Sequence, residues 1–326
     1  MMTPRQRFRE TMQFGEPDRV PWLEEGLRDD VLEAWCQQGF PRGGDLAEMY
    51  GYDRRERIEP NLDPIDEKSV RVLTRADLPA LRRRLDPDHP SRSPEDWAQC
   101  VERWRDRDYL LELPVQRGLF RSMGVNAWAD LEPVLYLLAD DPTLVRDAMD
   151  IHAALAASLA DRVLREVDVD FVSFSEPIGG NDGPLVSPAM YRQIVLDSYR
   201  PIFDVLHRHQ VETIVFMTYA NARPLLDDVL AAGFNCLWAM ETETEAMDYS
   251  ALRRQYGRSL RLIGGIDLDC LLLNEAAIER EIMSKTPRLL ADGGYIPVAD
   301  GRVRANMPYH NYAHYRHILE RVTKNR

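Results

Sequence analysis

Residues 213–240 read TIVFMTYANARPLLDDVLAAGFNCLWAM. Two apolar runs, Thr213–Tyr219 and Phe234–Met240, flank an amphipathic stretch over 221–232 that stops at Gly233. Each run is too short for a typical helix and rich in β-branched and aromatic residues, so each reads as a strand. A near-continuous apolar strand is buried on both faces, as in a parallel sheet. Strand, helix and strand then form one right-handed crossover unit.

The same alternation extends in both directions. Further strand-length runs are Tyr109–Val115, Val169–Phe174, Leu260–Ile266 and Tyr295–Ala299. Helical stretches fall over 142–166, 188–209, 246–256, 274–291 and 308–323. Asp141-Pro142 supplies an N-cap and a first-turn proline, and Ser187-Pro188 and Asn306-Met307-Pro308 do the same. Gly233, Gly257 and Gly293 stand where helices end. A seventh strand is expected at Arg19–Glu24, and an eighth in Arg55–Pro60 or Val70–Leu73. Eight parallel strands with outer helices make an α/β fold of the (β/α)8 TIM-barrel type. An open doubly wound sheet would place a glycine-rich phosphate loop after its first strand. No GxGxxG or GxxxxGK[ST] occurs, so the barrel is favoured. The expectation is one domain over 1–326 with an N-terminal excursion at about 53–108. That segment is dense in charge and proline, with helical stretches at 75–84 and 94–107, and lacks the apolar content for its own core.

Composition narrows the function. Of 326 residues, Lys and Arg number 41 and Asp and Glu 54, for a net charge of −13. No basic stripe is available for nucleic acid or anionic lipid. No segment approaches a membrane span, and the N-terminus lacks the apolar core of a signal peptide. Four scattered cysteines without a CxxC read as free thiols of a cytoplasmic protein.

A barrel places its chemistry at the C-terminal ends of its strands. Those ends carry Glu24 and Glu25, then Gln116 and Arg117, Ser175 and Glu176, Tyr219 and Asn221, Glu241, Asp267, and Asp300 with Arg302. Acids after strands also serve as turn residues and N-caps. Several facing one cavity would need arginine, a cation or a proton, and Arg117 and Arg302 are the internal partners in reach of sequence reasoning. A raised carboxylate pKa there would suit proton transfer. His310, His314 and His317 recur along the last helix and read as an outward stripe rather than a metal set. His207 and His209 sit near a helix end, where a cation complements the dipole. Trp97, Trp104 and Trp128 read as packing groups. No GxSxG elbow is present.

The opening TPRQRFRETMQFGEPDRVPW closely resembles the start of the uroporphyrinogen decarboxylase superfamily, in its cobalamin-linked methyltransferase-like branch. SPAMYRQIVLDSYRPIFDVLHRHQ, NARPLLDDVLAAGFNCL, YGRSLRLIGGID and LLADGGYIPVADGRVRANMPYHNY resemble later segments of the family. The resemblance implies a barrel with a deep mouth and a homodimer. Its methyltransferases carry His-x-Cys on the strand matching Thr213–Tyr219, where this chain has Met217-Thr218-Tyr219. Zinc-thiolate chemistry needs softer ligands, so zinc and any other metal site are not expected. The decarboxylases carry an arginine-rich stretch after the first strand; here it reads Leu23-Glu24-Glu25-Gly26-Leu27-Arg28, and their late His-Gly is Asp300-Gly301.

The resemblance therefore implies a methyltransferase-like enzyme with no tightly bound cofactor. It would use a small-molecule substrate with a corrinoid, free or carried by a corrinoid protein, or a tetrahydrofolate as methyl carrier. Glu176, Glu241 and Asp300 are the candidate catalytic carboxylates. Arg117, Tyr219, Asn221, Asp267 and Arg302 are the candidate substrate contacts. A decarboxylase of a tetrapyrrole or smaller carboxylate, and a non-catalytic barrel used as a binding module, are the alternatives.

Overall fold

The computed structural model describes residues 2–66, 71–242 and 245–324. Its strands are β1 (Arg55–Arg57), β2 (Leu110–Gln116), β3 (Phe171–Glu176), β4 (Gly179–Gly180), β5 (Gly183–Pro184), β6 (Ile214–Tyr219), β7 (Cys236–Met240), β8 (Arg261–Ile266) and β9 (Tyr295–Ala299). The chain divides into two compact units. Residues 1–56, 108–110 and 236–326 form the first, and 57–107 with 111–235 form the second. Each is an α/β assembly of parallel strands joined through helices.

In the second unit β2, β3 and β6 run parallel. Glu112 stands opposite Phe171 and Pro114 opposite Ser173; a bulge then sets Gln116 opposite Phe174. Farther on, Glu176 stands opposite Thr218. The helix Pro142–Glu166 links this unit's elements and matches the expected span; the Asp141 carboxylate accepts the Leu144 N–H at 3.0 Å. Phe174, Phe203, Phe216 and Phe234 pack with ring centroids 4.8–5.4 Å apart. At the N-terminal side of β2 and β3, Arg107 and Asp170 form a buried ion pair at 2.9 Å.

The expected helix over 188–209 forms, but its regular turns are interrupted by a π-helical stretch over Tyr191–Leu196. Tyr191 and Tyr199 are eight residues apart, which in a regular α-helix puts them roughly 80° apart around the axis. The residue absorbed by a π-turn reduces that to roughly 20°, so both hydroxyls can reach one target.

In the first unit β7, β8 and β9 run parallel, with Cys236 opposite Arg261 and Leu262 opposite Tyr295. Its core gathers Trp35, Phe40, Ile266, Tyr312 and Tyr315 among other buried side chains. Trp35 donates its indole N–H to the Met307 carbonyl at 2.8 Å. The N-terminal helix Pro4–Met12 has a Thr3–Gln6 capping box.

Two expectations are corrected, the strand at Arg19–Glu24 and the packing of Trp128. Arg19–Glu24 forms no strand: the Trp22 N–H donates to the Asp53 carboxylate at 2.7 Å and the Asp53 N–H to the Trp22 carbonyl at 3.0 Å. Those groups are engaged by one residue and no ladder forms over Arg19–Glu24; Leu27, just beyond, makes an isolated parallel bridge with Val303. Of the two places for an eighth strand, β1 falls in the first; residues 71–73 are not strand, and Val70 lies outside the described residues. Trp128 is 87% exposed rather than packed. Short helices at Val31–Cys36, Leu46–Tyr50, Leu119–Ser122 and Leu131–Asp140 were not anticipated. Among the described residues no helix is long and apolar enough to cross a membrane.

Candidate functional site

A cavity of about 470 Å³ opens in the second unit at the C-terminal ends of β2 and β3. That size suits a small organic ligand. Pro114 and Gln116 of β2 and Ser175 of β3 form one side; Arg117 and Arg121 follow from the next turn. The opposite wall is the extended segment Arg57–Asp63, which contributes Arg57, Glu59, Asn61 and Asp63. In a chain of net charge −13 this is a local reversal: three guanidiniums against two carboxylates.

The arginines are held differently. Arg117 is half-buried and ion-pairs with Asp63. Burial lowers its pKa, and the nearby positive charge of Arg121 adds to this. Arg57 lies 3.7 Å from buried Glu112, which also accepts the Ser173 hydroxyl at 2.6 Å. Arg121 is exposed at the rim. The Gln116 side-chain oxygen accepts the Arg117 N–H at 2.7 Å and the Ser122 hydroxyl at 3.3 Å, which fixes the amide's orientation. Two like charges crowded beside a cavity are relieved by an anion, and guanidiniums match carboxylate and phosphate geometry.

Glu176 lies behind this turn and is 1% exposed. Its Oε1 accepts the Leu119 N–H at 2.8 Å; its Oε2 accepts the hydroxyls of Tyr199 at 2.8 Å and Tyr191 at 3.3 Å. Burial outweighs these donors and pushes its pKa up to about 7. The tyrosines, buried beside it, are pushed far above their ordinary range. Gly118 has φ +84°, and a Cβ there would stand 2.5 Å from the Ser175 carbonyl oxygen and 2.6 Å from Glu176 Oε1. Only glycine admits both that backbone and that approach.

Tyr219 and Asn221 stand at the end of β6. The Asn221 N–H donates to the Gly180 carbonyl at 3.1 Å, joining this end to the β4–β5 hairpin. Between Met217 and Tyr219, Thr218 is fully buried and its hydroxyl has no hydrogen-bond partner among the described residues. Thioether, hydroxyl and phenol do not make a zinc-thiolate donor set, so the residues here do not fit the metal that the resemblance associates with this strand. Among the described residues no three His, Cys, Asp or Glu side chains come together to hold a metal.

The other candidates belong to the first unit. Asp300, 4% exposed, accepts the Thr242 N–H at 2.8 Å, the Thr242 hydroxyl at 2.5 Å and the Leu268 N–H at 2.9 Å. It ties together the segments after β7, β8 and β9. Burial raises its pKa against those three donors. Glu241 is exposed, has φ +43°, donates its N–H to the Asp300 carbonyl, and ion-pairs with Arg28 at 3.3 Å. Asp267 caps the 3-10 turn Leu268–Leu272, accepting the Asp269 N–H at 2.8 Å, and burial raises its pKa. Arg302 is exposed and donates to the Leu27 carbonyl at 3.0 Å. Glu24, from the expected first strand, is buried against Arg316 and Tyr315.

The structure therefore gathers Glu241 and Asp300 in the first unit, and sets Arg117 beside Glu176's turn in the second. Sequence reasoning missed Arg57, Glu59 and Arg121. Arg57 and Glu59 fell in the segment read as an excursion. Arg121 was legible in principle, four residues beyond Arg117 at helical spacing.

A family model described as uroporphyrinogen decarboxylase (URO-D) matches residues 125–311. No curated protein matches the chain. Among solved structures, a methyltransferase from Methanosarcina mazei is similar with a TM-score of 0.59 at 15% identity, covering 98% of this chain and 99% of that one. At that identity the likeness is one of fold.

Proposed function

Because the chain belongs to the uroporphyrinogen decarboxylase family, we propose that it is an enzyme whose small-molecule substrate or carrier is held by carboxylate groups in the arginine-lined cavity. The architecture we infer is the closed (β/α)8 barrel, and the reaction is methyl transfer without zinc. The cavity with Arg57, Arg117 and Arg121 is the observation that supports this reading. The glutamate carboxylates of a reduced folate would engage these guanidiniums, while Asn61, Gln116 and Ser175 offer neutral hydrogen bonds. A corrinoid or folate supplies the methyl chemistry when bound; the protein orients the acceptor and removes its carboxylates from water.

Decarboxylation of a small polycarboxylate is the second reading. The count of arginines on one cavity favours it, since such a substrate needs cations for the carboxylates it keeps.

Calorimetric titration with tetrahydrofolate and with tricarballylate tests both. Charge-assisted hydrogen bonds contribute about 1.5–3 kcal/mol each, so Arg117→Ala with Arg121→Ala should weaken the bound ligand by roughly a hundredfold or more. Tetrahydrofolate binding supports methyl transfer; tricarballylate binding alone turns the assignment to decarboxylation. Unchanged affinity in the double variant overturns the cavity as the site. Metal analysis of protein purified without chelator should find less than stoichiometric zinc; a full equivalent would overturn the reading of Met217-Thr218-Tyr219.

A further inference from the structure

We propose that Glu176 is a positioning residue: it clamps the Arg117–Ser122 turn against β3 and thereby sets the guanidiniums of the cavity, without touching the ligand itself. The inference rests on the reading of that cavity as the binding site.

Four observations support it. Glu176 is 1% exposed and does not line the cavity, whereas its neighbour Ser175 does. One of its oxygens is committed to the Leu119 N–H, midway between Arg117 and Arg121. The other is committed to Tyr199 and Tyr191, which the π-turn brings onto one face. Gly118 leaves no space for a Cβ between the turn and the Ser175–Glu176 backbone, so the turn is pressed onto the end of β3. A carboxylate whose acceptors already serve three donors is poorly placed to exchange a proton with a ligand. It is well placed to fix a backbone amide, and Arg117 and Arg121 lie two residues either side of that amide.

The groups facing Glu176 are the two tyrosines, the Leu119 amide and, opposite on β6, Thr218. A glutamine can still accept from Leu119 through its side-chain oxygen, and the tyrosine hydroxyls can turn to accept from its amide. A leucine can do neither. The positioning role therefore predicts rescue by the conservative variant.

Ethane-1,2-disulfonate, which keeps its charge across the working pH range, is the probe. Its affinity by calorimetry should change less than threefold in Glu176→Gln. It should fall about tenfold or more in Glu176→Leu. Gly118→Ala attacks the same contact from the turn and should behave like Glu176→Leu. Hydrogen exchange at the Leu119 amide should quicken in Glu176→Leu and Gly118→Ala but not in Glu176→Gln. Folded Glu176→Leu with parental affinity and a protected Leu119 amide would overturn the proposal, as would loss of binding in Glu176→Gln. If the arginine variants leave probe affinity unchanged, the cavity reading fails instead, and Leu119 exchange still decides the clamp.

Discussion

Replacing Asp53 by alanine is expected to destabilise the first unit by about 3–5 kcal/mol, the range for stripping one partner from a buried charge cluster. The Asp53 carboxylate accepts from Arg7 at 2.7 Å, from Arg19 at 2.6 and 3.1 Å, and from the Trp22 N–H at 2.7 Å. Arg7 is 4% exposed, so its guanidinium cannot turn to water when the carboxylate goes. Asp18 remains as a second partner for Arg7, at 2.7 Å, which keeps the loss finite. The segment around Trp22 should lose its order as well, since Asp53 replaces the ladder that a strand would have made there. Asp53→Asn should fall nearly as far, because its NH2 would face guanidinium donors. Urea midpoints with unchanged slope would measure the loss; a loss under about 1 kcal/mol in Asp53→Ala would refute the account.

Glu176→Gln, by contrast, should stabilise the protein at pH 8. The folded carboxyl has its pKa raised to about 7 from an ordinary 4.5, with burial as the largest cause. The folded state thus binds a proton more tightly than the unfolded chain does. Below pH 4.5 both are protonated and no penalty exists. Between 4.5 and 7 the unfolded chain ionises first, and folded stability falls with rising pH by up to about 3 kcal/mol. Above 7 the deficit is constant. Glutamine has no such proton, so the stability difference between variant and parent should be small near pH 4.5 and grow toward pH 7. A flat difference, or a variant less stable at pH 8, would contradict this. A group that costs stability while a near-isostere would cost less is what a functional constraint looks like.

The regular elements were legible where one local rule was enough. Near-continuous apolar runs located all six expected strands from Tyr109 onward to within two residues at either end, and Asp141-Pro142 placed the start of a 25-residue helix at the residue where it begins. Arg19–Glu24 misled because its apolar residues are buried as a strand's would be, while the Trp22 backbone bonds to Asp53, remote in sequence, rather than to a neighbouring strand. Trp128 misled for the reverse reason: a large apolar side chain has no pattern that says it stays in water.

The candidate site divides in the same way. The amino-acid sequence by itself settled the class of fold, the strand ends at which polar residues stand, and the lack of a soft donor set on β6, because each depends on residue type and short spacing. Only the tertiary structure decided what those residues do. Asp300 proves to be a tie among three strand-end segments, and Glu176 to be enclosed by two tyrosines and an amide. The segment discounted as an excursion supplies Arg57 and Asp63 to a cavity. Burial, hydrogen-bond partners and the local balance of charge arise between residues distant in the chain, so no window along the sequence contains them.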